Sequence, residues 1–280
     1  IMEVSKSKQV PQITSVSVNQ KITGSAWHEY MFRNKDTDTI RAKWITRAIA
    51  EETDVDSIGM IGPNNDFGVG RMETFAGRLE ERGVTTTTPQ AVNPDQRSFL
   101  TELEKIRNSG AEALYLVIND PIHGELMIPE ARQVGFETIV GTGPVGVPEM
   151  PEKVGDPLDD VYVEVTFPND ARGTVDHVNS WAESLTAFTD GEVSPNYIGA
   201  PTYDAVNLVC DAAARADSTD PEPLTEAMGS PSMTGVFPYP EFTLEFRGEN
   251  NQAEVVSGLG QWSADGEWSL DVRTGPFAES

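Results

Sequence analysis

Apolar and polar positions along this chain switch between two periods, and between residues 57 and 141 the switch repeats as a unit. Residues 57–62, Ser-Ile-Gly-Met-Ile-Gly, form an apolar run of strand length, broken by a polar, glycine-rich stretch over 63–70. Residues 71–82 then carry Met72, Phe75, Ala76 and Leu79 between charges, a helical spacing that Gly83 stops. A second cycle predicts a strand over 84–88, a helix over 98–108 and a longer apolar strand over 113–118. Strands alternating with helices of this length specify right-handed βαβ units and a parallel sheet. Ligands of such sheets sit beyond the carboxyl ends of the strands, which points to loops 63–70 and 119–124.

Upstream, residues 1–8 predict the tail of a helix, 10–14 a short strand and 15–19 a polar loop. An extended segment over 30–38 leads to a helix over 39–51 with Asp38 as its N-cap. Downstream, a helix over 122–134 ends at Gly135, and a strand over 138–141 enters a Gly/Pro-rich loop over 141–148. A strand over 161–165 runs into a polar turn at 167–170. Helices follow over 174–188, 198–216 and 221–228, the last with Asp220 at its cap. Runs at 242–246, 253–260 and 267–271, with Asp265-Gly266 as a hairpin turn, predict a C-terminal antiparallel ribbon. A chain that opens inside a helix is expected to lack upstream strands of its first sheet.

A length of 280 residues leaves room for two domains, and a 38% hydrophobic content supports their cores. Charge changes the picture more. Against 45 acidic residues stand 20 basic ones, a net charge of -25. No basic stripe exists for phosphate, so nucleic acid is excluded as a partner. The acid is dispersed over predicted helices and loops, and only 7 of the basic residues are Lys. That surface suits a protein of a salt-adapted organism, where ions screen the self-repulsion. Cys210, the single cysteine, falls on the apolar face of the helix over 205–214 and is expected to be a small buried hydrophobe. No apolar run reaches the roughly 18 residues of a membrane span, so no direct membrane insertion by this chain is expected.

No catalytic constellation or cofactor motif stands out. His28, His123 and His177 are isolated, which argues against a metal site. Gly68-Val-Gly70 lacks the third glycine of a dinucleotide loop and the lysine of a phosphate loop. What remains is a set of loops at strand ends suited to a small solute: Ser15 and Ser17, residues 65–67 with Phe67, Asn119 with Asp120, and residues 142–145. Asp120 has two readings, as the partner of a ligand cation or as the cap of the helix that starts near Pro121.

The order strand, Asn65-Asp-Phe-Gly-Val-Gly70, helix, then the helix over 99–106, Ala113-Leu-Tyr-Leu-Val117 and Ala131-Arg-Gln-Val-Gly-Phe136, resembles the periplasmic-binding-protein type I solute receptors of branched-chain amino acid ABC transporters. Phe32-Arg33 with 36–38 is similar to that family's first crossover between lobes, and Tyr203-Asp-Ala-Val206 to a helix of its first lobe. The resemblance implies an α/β, two-lobed fold with parallel sheets flanked by helices. Lobe one would comprise 1–41 and 167–251, short of its upstream strands, and lobe two 42–166 and 252–280. It further implies hinge closure on a ligand, no enzymatic turnover, no cofactor, a membrane permease as partner, and a place outside the cell, lipid-anchored in the full-length form. By position it assigns Ser15 and Ser17 to a ligand carboxylate, Phe67 to an aromatic wall, and Asn119 or Asp120 to the pocket. Ile198, at the start of the helix over 198–216, is counted among the ligand-binding residues. Val145 stands where the family's amino acid receptors place an acid for the ligand's ammonium. The alternatives are a ligand-sensing domain of a signalling receptor and, third, a hydrolase.

Overall fold

A computed structural model describes residues 1–166, 176–231, 233–237, 244–246, 250–253, 255, 257–266 and 268–269. The chain divides into two compact units, residues 1–41 with 166–256 (unit 1) and 42–165 with 257–280 (unit 2). It passes from one to the other at 41/42, 165/166 and 256/257.

Unit 2 is built on an eight-stranded sheet. Its parallel part comprises β3 (Ser57–Pro63), β4 (Thr85–Thr86), β5 (Gln90–Val92), β6 (Ala113–Leu116), β7 (Thr138–Gly141) and β8 (Tyr162–Val165). Next to β8, β9 (Gly258–Trp262) runs antiparallel, and β10 (Trp268–Ser269) returns antiparallel to β9. The order across the sheet is β10-β9-β8-β7-β6-β3-β4, with β5 also on β3. Side chains alternate between two buried faces. Ile58, Met60, Tyr115, Val117 and Val140 meet α2 (Asp38–Glu52) and α3 (Asp66–Glu80) through Ile45, Ile49, Met72 and Phe75. Ile61, Leu114, Leu116, Ile139 and Val163 meet α4 (Leu100–Asn108) and α5 (Pro121–Gln133) through Leu103, Ile106, Met127 and Ile128. Burial on both faces is why these strands read as unbroken apolar runs.

In unit 1, α1 (Met2–Lys8) precedes β1 (Gln12–Thr14), which pairs parallel with β2 (Met31–Arg33). Its core gathers Phe32, Val178, Ala200, Leu208, Ala212 and Phe237, drawn in part from α7 (Asp176–Phe188) and α8 (Gly199–Ala216). The short α9 (Pro221–Met228) closes on it with Met228.

Several expectations need correction. The stretch 66–70 is the first turn of α3 rather than loop: Asn65 caps it by accepting the Gly68 N–H at 2.9 Å, and Gly68 passes so close to Pro63 that a Cβ would collide with its carbonyl. Asp38 is the first residue of α2, and the cap is the Thr37 hydroxyl, which accepts from Ile40 N–H at 3.0 Å. Asp220 stands at the N-cap of α9 (Pro221–Met228) as expected, but its side chain makes no capping bond. Cys210 is exposed on α8 rather than buried. The strand β5 and the short α6 (Met150–Val154) had no clear period to announce them. The turn at 167–170 and positions 242–243, 254, 256, 267 and 270–271 of the predicted ribbon lie outside the described residues.

Candidate functional site

In unit 1 the candidate loop follows β1 directly. Ser15 is half-buried and Ser17 exposed. Behind them runs a segment of eight consecutive buried residues, 31–38, six of them polar or charged. Arg33 is its centre and is fully buried. Its Nη1 donates to the carbonyls of Ser17 (3.0 Å) and Asn19 (2.9 Å), its Nε to Gln252 Oε1 (2.7 Å), and its Nη2 to the Thr23 hydroxyl. The Thr23 hydroxyl in turn donates to Gln252 Oε1 at 2.9 Å, and Gln252 Nε2 donates to the Lys35 carbonyl at 2.6 Å. Burial lowers the Arg33 pKa to about 10, against the opposing pull of Asp36 and Asp38, so the guanidinium stays cationic at neutral pH. The Asp38 N–H donates to the Val18 carbonyl at 3.0 Å. Three successive carbonyls, 17 to 19, therefore face donors of the 33–38 segment. In a trans peptide the following N–H points the opposite way. The N–H groups of Val18, Asn19 and Gln20 accordingly turn away from that segment, and among the described residues none of them donates a hydrogen bond.

The same buried segment holds Lys35, whose Nζ donates to Thr166 Oγ1 (2.8 Å) and Tyr197 O (3.2 Å) and sits 4.7 Å from the Phe237 ring centroid. Asp36 accepts a two-pronged pair from Arg41 at 2.6 and 2.7 Å. Deeper in the unit, Asp204 of α8 is fully buried and accepts the N–H groups of Val236 (2.9 Å) and Phe237 (2.8 Å). Burial pushes its pKa up to about 7, although both N–H bonds pull the other way.

In unit 2 the register Ile61, Leu116, Gly141 aligns the carboxyl ends of β3, β6 and β7 on one side of the sheet. Phe67, half-buried in the first turn of α3, comes there with Asn119 and Asp120 beyond β6 and Thr142 beyond β7. Thr142 is buried and its hydroxyl knots two strand ends, accepting from Ile118 N–H at 3.0 Å and donating to Ile118 O at 2.6 Å. Asn119 is left exposed just past that knot. Asp120 is exposed and caps α5, its Oδ1 accepting from Ile122 N–H at 3.1 Å. Beneath Phe67 lies a buried polar trio. Arg71 Nη2 pairs with Glu164 Oε2 at 2.6 Å and its Nε donates to the Tyr115 hydroxyl at 3.1 Å, while that hydroxyl donates to Glu164 Oε1. The Arg71 guanidinium lies 5.6 Å from the Phe67 ring centroid and 5.1 Å from that of Phe75. Burial raises the Tyr115 pKa well above its ordinary value, so the phenol keeps its proton.

One of the expected residues sits elsewhere. Val145, in a 3₁₀ turn over Gly143–Gly146, is a core residue: its side chain packs on Gly141, where a Cβ would strike it, and its carbonyl accepts from Trp262 Nε1 at 3.0 Å. It offers its side chain to the apolar core rather than to a ligand. Ile198 is an exposed residue at the start of α8. Sequence reasoning placed Arg33 in a crossover but missed its grip on the 15–20 loop. The available signal was an arginine and a lysine within a strand-to-helix stretch otherwise rich in helix-cap residues. A separate groove of 1020 Å³ in unit 1, lined by Trp181, Leu185, Phe188, Tyr203, Cys210 and Met233 among others, contains none of the predicted ligand residues.

Comparison with known proteins matches this geometry to a family. The leucine-, isoleucine-, valine-, threonine- and alanine-binding protein of Pseudomonas aeruginosa is 22% identical over 230 residues, which are 81% of this chain and 59% of that protein. The chain thus spans less than two thirds of the length of that curated relative. A leucine-binding protein from Thermotoga maritima superposes with a TM-score of 0.81 at 18% identity, covering 96% of this chain and 74% of that one. The branched-chain amino acid transporter substrate-binding protein of Streptococcus pneumoniae, solved with isoleucine, superposes with a TM-score of 0.78 at 15% identity, covering 95% and 73%. These likenesses show the fold. The sequence profile of the periplasmic binding proteins matches residues 1–267, and the chain belongs to that family.

Proposed function

We propose that this chain is the ligand-holding body of a solute-binding protein that delivers a branched-chain amino acid, or a related carboxylate or amide, to the permease of an ABC importer. Units 1 and 2 are read as the two lobes, and the crossings at 41/42, 165/166 and 256/257 as the hinge. The relatives are named as binding proteins, which supports binding without turnover. A place outside the cell, with a lipid anchor on the complete protein, belongs to the same reading. The observation that carries the reading is the loop over 15–20. Its three outward N–H groups and the hydroxyls of Ser15 and Ser17 are the donor set a carboxylate needs, since successive backbone N–H groups form anion-binding concavities. Phe67 and Asn119 are read as an apolar and a polar ligand contact. Asp120, already engaged as a cap, keeps Oδ2 as the acid available to an ammonium.

Calorimetry with L-leucine, its keto acid 4-methyl-2-oxopentanoate and leucinamide tests this. Both carboxylates are expected to bind and the amide to bind more weakly, with Asp120→Asn reducing leucine affinity but leaving the keto acid unchanged. Absence of heat with all three, repeated for isoleucine and valine, sinks the reading.

A further inference from the structure

We infer that Arg33 is a positioning residue for carboxylate recognition: the buried guanidinium fixes the peptides of the 17–20 loop with their N–H groups outward and supports an anion there from behind. This rests on the reading of 15–20 as the carboxylate loop, and it adds what makes that loop a receptor rather than an ordinary turn. Two observations carry it. First, one nitrogen of Arg33 holds the carbonyls of both Ser17 and Asn19, so a single group sets the orientation of two of the three peptides. Second, that nitrogen is not free to swing. Nε is held by Gln252 and Nη2 by Thr23, on partners 219 and 10 positions away in sequence.

The electrostatics follow. A cation hydrogen-bonded to the carbonyl end of a peptide polarises it, and the matching N–H becomes a stronger donor on the far side. In a chain of net charge -25, a loop that attracts an anion needs such a local source of positive potential. Arg33 supplies it from behind the loop without being exposed itself, whereas the neighbouring Lys21 is exposed to solvent. A lysine at 33 would keep the charge but lose the fork that reaches two carbonyls and two side chains together.

The test uses sodium acetate as the probe, with acetamide as its neutral match, at constant ionic strength. Amide ¹H–¹⁵N shifts of Val18, Asn19 and Gln20 are followed in the wild-type chain and in Arg33→Lys and Thr23→Val. Saturable shifts with acetate and none with acetamide are expected in the wild type. Arg33→Lys is expected to weaken the acetate response by about tenfold, as loss of charge-assisted hydrogen bonding does. Thr23→Val, a near-isosteric change that leaves Arg33 in place, is expected to weaken it less. If Arg33→Lys does not fold, Thr23→Val decides alone. No acetate response at these three amides in the wild type, or an equal response in every variant that keeps the rest of its spectrum, overturns the inference. Failure of leucine, isoleucine and valine to bind while acetate still moves these amides overturns the importer reading and leaves the role of Arg33 standing.

Discussion

Asp204 shows how one residue ties pH to stability. Its carboxyl has an ordinary pKa of 3.8 and is raised by burial to about 7 in the folded chain. A group that holds its proton more tightly when folded contributes most below the lower value, and the contribution is withdrawn as pH rises through the higher one. Unit 1 is therefore expected to lose stability between about pH 4 and pH 7 on account of this residue. The clean readout is the difference from Asp204→Asn, because the other acids titrate in both proteins. At pH 5 the variant is expected to be about 1–3 kcal/mol less stable, since its amide nitrogen meets a backbone N–H. The gap should narrow by pH 8, where only the wild type buries an anion. Parallel urea-denaturation curves at both pH values would remove the assignment. Nothing in Tyr203-Asp-Ala-Val206 announced this. Spacing placed Asp204 on a helix, but only the fold brings Val236 and Phe237, over thirty positions on, against its oxygens. Arg33 was illegible as a loop support for the same reason, since half of its bonds run to Thr23 and Gln252.

At the scale of elements, legibility follows the period. The strand over 138–141 and the helix over 221–228 were read to the residue because apolar spacing and a proline or glycine mark both ends. The start of α3 was misread because Gly68 and Gly70 look like a loop, whereas Gly68 is required by contact with Pro63 inside a helix turn. Two bonding arrangements then hold the strand ends of unit 2. Thr142→Val, which keeps the shape and removes both bonds to Ile118, is expected to cost about 1–3 kcal/mol and to broaden the Asn119 amide signal. Glu164→Gln takes the carboxylate from the buried Arg71 and is expected to cost about 3–5 kcal/mol in chemical denaturation. A loss below 1 kcal/mol in the second case would mean that Arg71 is held mainly by other partners.

The molecule as a whole is dominated by its net charge of -25. Like charges on a compact body repel over a Debye length of about 10 Å at 0.1 M salt but only about 3 Å at 1 M. The melting temperature is therefore expected to rise from dilute buffer to molar KCl, and a flat or falling curve contradicts adaptation to salt. The two-unit division also makes a local expectation of hinge behaviour. On leucine binding, hydrogen exchange should change most in peptides covering 33–41 and 250–253, where buried polar groups surround the chain crossings. Change confined to 57–141 would argue against a hinge. Charge and the parallel α/β class were both legible in the chain, the first from counting and the second from alternating periods, whereas the two-lobed arrangement was implied only by the family resemblance. The loop over 15–20, the proposed carboxylate site, was legible only as composition, since serines and asparagines populate any turn.

The reach of Arg33 to Gln252 also sets an order of assembly. The two residues are 219 positions apart, and Thr23 and Gln252 are 229 apart. The parallel strands β3 to β8 pair with one another within residues 57–165, and only the outer edge of β8 waits for β9, so a chain emerging from the ribosome can lay down that part of unit 2 while the partner of Arg33 is still unmade. Loop 17–20 gains its final support only when residue 252 arrives and a long closure is completed. During synthesis a folded sheet thus precedes a finished 17–20 loop, and a chain cut short before residue 252 keeps Arg33 but not the clamp that aims it.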